Sequence, residues 1–295
     1  MGEAPRPRPM RPDDVAAVDA LSTRCFDDLA RRLDLPTPSD GPPSEAETAA
    51  SHGRLRHLLA FHGDGAWVVD GDDGLAAAAL ALRRERFWGL SLLVVDPAAQ
   101  GRGLGRQVLQ ASMVTSADAA RAMVLSSQDP RATRLYGGAG FAEHAGLRAV
   151  GTVRRAGLAH EAAVVRDGRD ADRELAAEVD RGVRGGPHAA ELDVLLDHAA
   201  GWWVVDEGAC RGYAVLVQNR VALLAATDAE AARALLVRCL GAADPHRQVA
   251  VPALGAEAWA VELVRGAGLT VHPSGPTFTR GLGPPPWYLP NPAWL

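Results

Sequence analysis

Residues 94–106 read VVDPAAQGRGLGR and connect an apolar segment, residues 88–95, to a segment with helical spacing. The apolar segment is typical of a central strand. A glycine-rich turn between such a strand and a helix exposes several backbone N–H groups at the positive end of the helix dipole, and glycine has no Cβ to block an approaching oxygen. The stretch therefore predicts an anion cradle that suits a diphosphate, with Arg102 and Arg106 adding positive charge.

The pattern of this turn excludes two common phosphate loops. A Walker loop needs Gly-Lys followed by Ser or Thr, and the chain contains no lysine. The dinucleotide pattern G-x-G-x-x-G fails because its last position is Arg106. The pattern present is Q-x-x-G-x-G, at Gln100, Gly103 and Gly105.

A second motif lies in residues 129–141, which read DPRATRLYGGAGF. Asp129 is a good N-cap residue and Pro130 suits the first helical position, so a helix is expected to begin here. Together the two segments resemble motifs A and B of the GCN5-related N-acetyltransferase (GNAT) family. The second family motif is usually N-x-x-A-x-x-L-Y-x-x-x-G-F, and only Asp129 departs from it. The resemblance covers residues 1–155.

The order of segments is repeated in the second half of the chain. GWWVVDEG at 201–208 is similar to GAWVVDGD at 65–72, and WAVELVRGAGL at 259–269 is similar to RATRLYGGAGF at 131–141. These repeats predict a duplicated domain. The resemblance then implies an α/β (α+β) protein with two tandem GNAT folds, each a mixed, mostly antiparallel central sheet flanked by helices. The expected domains are 1–157, the acetyl-CoA-binding catalytic copy, and 158–295, a degenerate copy with a Pro- and aromatic-rich tail.

The second copy lacks the residues on which the chemistry depends. TDAEAAR at 227–233 takes the place of the glycine loop, and Asp228 and Glu230 would repel a phosphate. Val264 stands where the first copy has Tyr136. The second copy is therefore expected to bind no acetyl-CoA.

Periodicity and turn residues predict the individual elements. Helices are expected at 11–33, 45–61, after 104, from 130, at 170–183 and at 188–199; strands at 66–69, 75–83, 88–95 and 122–125, with a final strand pair from 141 to about 154; a loop at 34–44; and an extended arm at 281–295.

Composition narrows the class of protein. The net charge of −5 argues against a dedicated nucleic-acid binder. The longest apolar runs are under half a membrane span, and residues 1–9 have no secretory h-region, so no membrane association is expected. The three cysteines are far apart, which predicts no disulfide and no zinc site. These features fit a cytoplasmic protein. The absence of lysine suggests a GC-rich genome, and the chain resembles tandem acetyltransferases of such bacteria.

The resemblance assigns roles to residues. Acetyl-CoA is the acyl donor, with no metal. A backbone N–H of Val94 or Val95 would polarise the thioester carbonyl, and Tyr136 would protonate the departing coenzyme A sulfur. The remaining cofactor-binding positions are Gln100, Gly101, Arg102, Gly103, Leu104, Gly105, Arg106, Asp129 and Arg131.

The general base is left open. Some family members carry a Glu on the strand before the glycine loop, where this chain has Gly89. Five other residues are candidates: Glu85, Ser126, Ser127, Glu143 and His144.

The expected activity is transfer of an acetyl group from acetyl-CoA to the primary amine of a small molecule, by direct attack in a ternary complex. The acidic net charge favours a cationic acceptor. Two alternatives stay open: a catalytically silent acetyl-CoA-binding sensor or interaction module, and a protein or peptide N-acetyltransferase. A monomer or a homodimer is expected.

Overall fold

The computed structural model describes residues 6–35, 43–158, 163–255 and 258–295. The chain forms two compact units, neither of which is a continuous stretch. Unit 1 comprises Met1–Arg83, Trp88–Ala119 and Gln128–Ala139, and unit 2 comprises Arg84–Phe87, Ala120–Ser127 and Gly140–Leu295. The predicted loop at 34–44 lies mostly outside the described residues.

The described part of unit 1 has helices α1 to α4 and strands hydrogen-bonded in the order β1-β2-β3-β4. In chain order these elements are β1 (Arg8–Pro9), α1 (Val15–Leu33), α2 (Glu45–His62), β2 (Ala66–Gly71), β3 (Gly74–Arg84), β4 (Phe87–Val95), α3 (Leu104–Ser112) and α4 (Pro130–Gly138).

Local sequence accounts for where these elements begin. Ser44 caps α2: its hydroxyl accepts the N–H of Glu47, and the Glu47 carboxylate accepts the N–H of Ser44. This reciprocal pair is a capping box. The antiparallel hairpin of β2 and β3 turns at Asp72 and Asp73, and β3 then begins at Gly74, whose φ of 114° favours glycine. Both faces of β3 are buried from Leu75 to Leu82, so this strand is central.

Unit 2 contains the remaining elements: β5 (Arg121–Leu125), β6 (Ala142–His144), β7 (Gly146–Gly151), β8 (Arg166–Asp167), α5 (Arg173–Val183), α6 (Ala190–Leu196), β9 (Ala199–Glu207), β10 (Cys210–Val217), β11 (Arg220–Ala226), α7 (Ala229–Ala242), β12 (Val249–Gly255), α8 (Ala258–Gly266), β13 (Thr270–Pro273), β14 (Thr277–Gly281) and β15 (Tyr288–Leu289). One sheet has the order β13-β7-β12-β11-β10-β9-β8, and another run of strands has the order β5-β14-β6. The β11–β12 pair is parallel, and the other pairs of unit 2 described here are antiparallel.

The predicted strand pair from 141 to 154 is wrong. β6 does not pair with β7: it pairs with β14, which also pairs with β5. β7 instead lies between β12 and β13. Alternation along residues 141–154 specifies which face of a strand is buried and not which strand lies beside it, and β14, with Phe278 and Thr279 buried, takes the position beside β6. Within unit 2, β7 therefore joins the sheet that contains β9 to β12, and β14 lies between β5 and β6.

The other predicted elements are present, with shifted ends. The helix expected at 188–199 is limited to Ala190–Leu196, and the one at 170–183 begins as a short 3-10 turn at Asp170–Asp172. The tail at 281–295 contains no helix, and its two-residue strand β15 pairs with β11. The predicted α/β class, with mixed, mostly antiparallel sheets flanked by helices, is confirmed. The domain boundary between 157 and 158 stays a prediction.

A fully buried polar cluster lies within unit 2. The Asp180 carboxylate accepts hydrogen bonds from the His188 backbone N–H at 2.9 Å and from the Tyr213 hydroxyl at 2.8 Å, and its Oδ2 lies 2.8 Å from His188 Nδ1. Burial raises the pKa of Asp180, but the combined effects of His188 and the Arg184 guanidinium outweigh burial and keep the pKa below its usual value. The buried carboxylate is thus stabilised by partners on all sides.

Within the described ranges, no helix is both long and apolar enough to cross a membrane.

Candidate active site

The glycine turn follows β4 in unit 1 and ends at the first residue of α3. Gly101 and Gly103 have φ angles of 80° and 82°, which side chains other than glycine rarely adopt. No atom lies within 4 Å of the position that a Cβ would take at either residue. Glycine is therefore required here by the backbone conformation, and the space beside the turn is open.

The N-terminus of α3 is left uncapped by its own sequence. The N-cap residue is Gly103, which has no side chain to accept a hydrogen bond from the first turn. The first N–H groups of a helix have no partner within the helix. The turn thus offers several N–H donors to a bound anion, as a diphosphate site requires.

Gly105 has a different role from the two preceding glycines. A Cβ at this position would lie 3.4 Å from Val95 Cγ2 and 3.6 Å from Leu135 Cδ2, which are ordinary packing distances. The neighbouring Leu104 side chain is buried in the core. Leu104 can therefore contact a ligand only through its backbone.

Gln100 ties the turn to β4 and to α4. Its Nε2 donates a hydrogen bond to the Val95 carbonyl at 3.1 Å, and its Oε1 accepts one from Arg131. The Cys25 thiol also donates to the Val95 carbonyl, at 3.3 Å, and burial raises the pKa of this thiol to about 11. The carbonyl at the end of β4 is thus held by two side chains.

Asp129 caps α4 as the sequence predicts. Its carboxylate accepts the Arg131 backbone N–H at 2.9 Å, and it pairs with the guanidinium groups of Arg131 at 2.7 Å and Arg32 at 3.0 Å. The hydrogen bond from Arg131 is the main reason that the pKa of Asp129 lies far below its usual range. Where the family pattern has a neutral Asn, this chain therefore has a carboxylate neutralised by two arginines.

The two arginines of the turn are exposed and face solvent. Neither Arg102 nor Arg106 forms an ion pair with another described residue. Their guanidinium groups are available to a phosphate, a geometry for which arginine is well suited.

Tyr136 lies on α4 and is 5% exposed. Burial raises the pKa of its phenol above the ordinary value, because the phenolate would lose hydration. The side chain therefore keeps its proton at any pH near neutrality, as a proton donor must.

The structure brings the predicted cofactor-binding residues and Tyr136 together in unit 1, whereas the five candidate bases belong to unit 2. Among the latter, Glu85 forms an ion pair with Arg181 at 2.9 Å, and His144 Nε2 lies 2.8 Å from the Thr279 hydroxyl oxygen. Ser126 Oγ is buried, with no hydrogen-bond partner among the described residues. None of these contacts singles out a base.

Sequence reasoning missed two residues of α1 that contact the site. Arg32 reaches Asp129, and Cys25 reaches Val95. No local signal could have found them, because each partner is 70 or more positions away along the chain.

The corresponding turn of the second copy is closed by side chains. Asp228 caps α7, its carboxylate accepting the Ala231 N–H at 2.9 Å. The Thr227 hydroxyl donates to the Ala209 carbonyl at 2.8 Å. A carboxylate thus occupies the helix N-terminus that Gly103 leaves open in the first copy. Val264, which replaces Tyr136, is fully buried.

Comparison with known proteins finds a similarity in sequence for part of the chain. Residues 43–156 match the family model described as an acetyltransferase (GNAT) domain. This similarity in sequence is confined to the N-terminal half of the chain. No curated protein matches the chain in sequence.

Solved structures extend the similarity over the whole chain. A putative acetyltransferase from Pyrococcus horikoshii is 15% identical with a TM-score of 0.69, covering 99% of this chain and 95% of that chain. A GCN5-related N-acetyltransferase from Sphaerobacter thermophilus is 17% identical with a TM-score of 0.60, covering 95% and 96%. A tandem GNAT protein from the clavulanic acid biosynthesis pathway is 15% identical with a TM-score of 0.54, covering 95% and 99%. The predicted fold of two tandem GNAT copies is confirmed.

Among the described residues, no group of three or more His, Cys, Asp or Glu side chains is arranged to hold a metal ion.

Proposed function

We propose that this protein transfers the acetyl group of acetyl-CoA to the primary amine of a small molecule, by direct attack in a ternary complex. The observation that carries the proposal is the open turn at Gly101 and Gly103, which leads into an uncapped helix N-terminus. In the second copy the Asp228 carboxylate caps the start of α7. The start of α3 has no side-chain cap, which leaves its N–H donors for a ligand.

The donor would be held along the end of β4. The N–H groups of the turn, with Arg102 and Arg106, would bind the diphosphate of acetyl-CoA. A backbone N–H of Val94 or Val95 would hydrogen-bond the thioester oxygen and stabilise the negative charge that develops there. Gln100 would keep the turn in position through its bonds to Val95 and Arg131.

The chemical step needs one proton at the sulfur and removes one from the amine. The neutral amine attacks the thioester carbon, and the C–S bond breaks as the C–N bond forms. The Tyr136 hydroxyl donates its proton to the departing thiolate. The new ammonium proton leaves to a base that this chain or water supplies, and Tyr136 is reprotonated from solvent.

In this proposal residues 1–157 form the catalytic copy and residues 158–295 a copy without cofactor. Two observations support the division: Asp228 places a carboxylate at the start of α7, and Val264 has no proton to give.

The test combines calorimetric titration of acetyl-CoA with coenzyme A release on a panel of small amines and peptides. We expect one-to-one binding by the wild type, loss of binding in Gly103→Glu, and near-normal binding in the control Gly105→Ala. No binding by the wild type would overturn the proposal. Binding without turnover of any amine would favour the sensor alternative, and turnover of peptides alone would favour a peptide N-acetyltransferase.

A further inference from the structure

A polar cluster lies where α1, α2 and β4 meet, separate from the glycine turn. We call it the α2 cluster; it comprises Asp19, Ser51, His52, Arg54 and Ser91. The Ser51 hydroxyl donates to Asp19, whose other oxygen lies 3.4 Å from His52 Nε2. Arg54 extends from α2 to β4, where its Nη1 donates to the Ser91 hydroxyl at 3.3 Å.

Arg54 has more donors than partners in this cluster. A guanidinium has five N–H groups, and Ser91 is its sole hydrogen-bond acceptor within the described residues. Asp19 is close enough to raise the pKa of Arg54, but it bonds to Ser51 and His52 instead. Burial lowers the pKa of Arg54 further than Asp19 raises it, although an arginine stays charged throughout.

The guanidinium nitrogens of Arg54 that make no hydrogen bond are still reached by solvent, so a ligand can reach them too. The planar guanidinium matches a carboxylate, which it can bind through two parallel N–H···O bonds. The geometry therefore favours an anionic ligand with a carboxylate or similarly shaped group.

The strand that carries Ser91 also carries the proposed reaction centre. Ser91 is three residues before Val94 on β4, or about 10 Å at the rise of a strand. A ligand with its anion at Arg54 could thus place an amine beside the Val94 or Val95 N–H if its two ends are about 10 Å apart.

We infer that the acceptor is an amine that also carries a carboxylate, and that Arg54 determines this specificity by binding the carboxylate. The inference rests on the proposed acetyl transfer. It replaces the expectation of a purely cationic acceptor, because a charge beside the reaction centre acts on the acceptor more strongly than the distributed net charge of the chain.

The test uses matched amines that differ only in the group at the far end. γ-Aminobutyrate is compared with butylamine and putrescine, and ε-aminocaproate with hexylamine and hexamethylenediamine, by coenzyme A release. We expect the wild type to have its lowest KM for the aminoalkanoates. Arg54→Met should raise that KM by about 30-fold, the worth of a charge-assisted pair, with kcat and the KM for alkylamines nearly unchanged. Arg54→Lys should restore part of the preference.

Arg56→Met is the control, because Arg56 lies on the same helix and is exposed. It should behave as the wild type. Melting temperatures of all variants separate binding from folding: an Arg54→Met variant that loses stability but keeps the wild-type order of amines has a structural role only, and the inference is overturned. Equal use of alkylamines and aminoalkanoates by the wild type overturns it as well.

Failure of the proposed function gives a different result. If no amine releases coenzyme A, titration calorimetry of ε-aminocaproate into the acetyl-CoA-saturated protein decides. Binding that Arg54→Met abolishes and Arg56→Met retains would uphold the carboxylate site without the reaction. Absence of binding would overturn the inference.

Discussion

Gly103 and Gly105 are both glycines of one motif, and the structure predicts opposite effects when each is replaced by alanine. Gly103 has a φ of 82°, where a Cβ costs about 1–2 kcal/mol. Part of this cost is offset because alanine has less conformational freedom than glycine in the unfolded chain, which stabilises the folded protein by about 0.4–1 kcal/mol. We expect Gly103→Ala to lower the free energy of unfolding by about 1 kcal/mol.

Gly105 lies within α3 with ordinary helical geometry. Alanine is favoured over glycine in a helix by about 0.5–1 kcal/mol. The new methyl group would lie 3.4 Å from Val95 Cγ2, close but tolerable. Gly105→Ala should therefore be neutral or stabilising, and the two variants should differ by about 1–2 kcal/mol.

Urea unfolding followed by circular dichroism measures the difference in unfolding free energy between the two variants. Titration with acetyl-CoA measures how each substitution changes the affinity of the site. Distortion of the turn in Gly103→Ala should weaken acetyl-CoA binding at least about 10-fold, the loss of one or more hydrogen bonds to a charged group. Gly105→Ala should bind within a factor of about two. Equal stability and equal affinity of the two variants would refute the assignment of backbone strain to Gly103.

Three further predictions concern other residues. Tyr136→Phe should lower kcat by about 100-fold without changing acetyl-CoA affinity. Because burial raises the pKa of Tyr136, the wild-type pH–rate profile should show no loss of this acid below about pH 10. An unchanged kcat in Tyr136→Phe would remove Tyr136 from the mechanism. Asp129→Asn keeps the helix cap but loses its two ion pairs, so it should cost about 1 kcal/mol at pH 7. Because the folded-state pKa of Asp129 is depressed, the stabilisation from its ion pairs is present above the unfolded pKa near 4 and is lost as the pH falls towards the folded pKa. Urea unfolding should therefore show a smaller difference in stability between the wild type and Asp129→Asn at pH 3 than at pH 7. An equal difference at the two pH values would contradict the ion pairing. Asp180→Ala should destabilise the protein by about 3–5 kcal/mol in the same assay, because it leaves His188 and Tyr213 buried without their acceptor; a loss below about 1 kcal/mol would contradict this assignment.

The candidate acetyl-CoA site was largely predictable because its signals are local. The turn from Gln100 to Gly105 and the cap at Asp129 depend on backbone conformations that only certain residues favour, and those residues are adjacent in sequence. The second copy could be recognised as degenerate for the same reason, since Asp228 replaces a glycine position with a side chain of opposite effect.

The rest of the site and the sheet partners could not be predicted, because they depend on distant contacts. Nothing near Arg32 or Arg54 in the sequence indicates that one reaches Asp129 and the other Ser91. The pattern of residues 141–154 correctly indicates strands, but alternation specifies which face of a strand is buried and not which sheet it joins. The sequence pattern therefore could not predict which sheet β7 and β14 each join.

The pairing of β14 with β5 and β6 cannot form until nearly the whole chain has been synthesised. β5 and β6 leave the ribosome early, but β14, which pairs with both, begins at residue 277, about 130 residues after β6 ends. At roughly 5–20 residues per second, these two strands wait about 7–26 seconds for their shared neighbour. During that interval the edges that β14 will cover are unpaired and can bind other chains, so we expect the first half of a nascent chain to be prone to aggregation until β14 has been made.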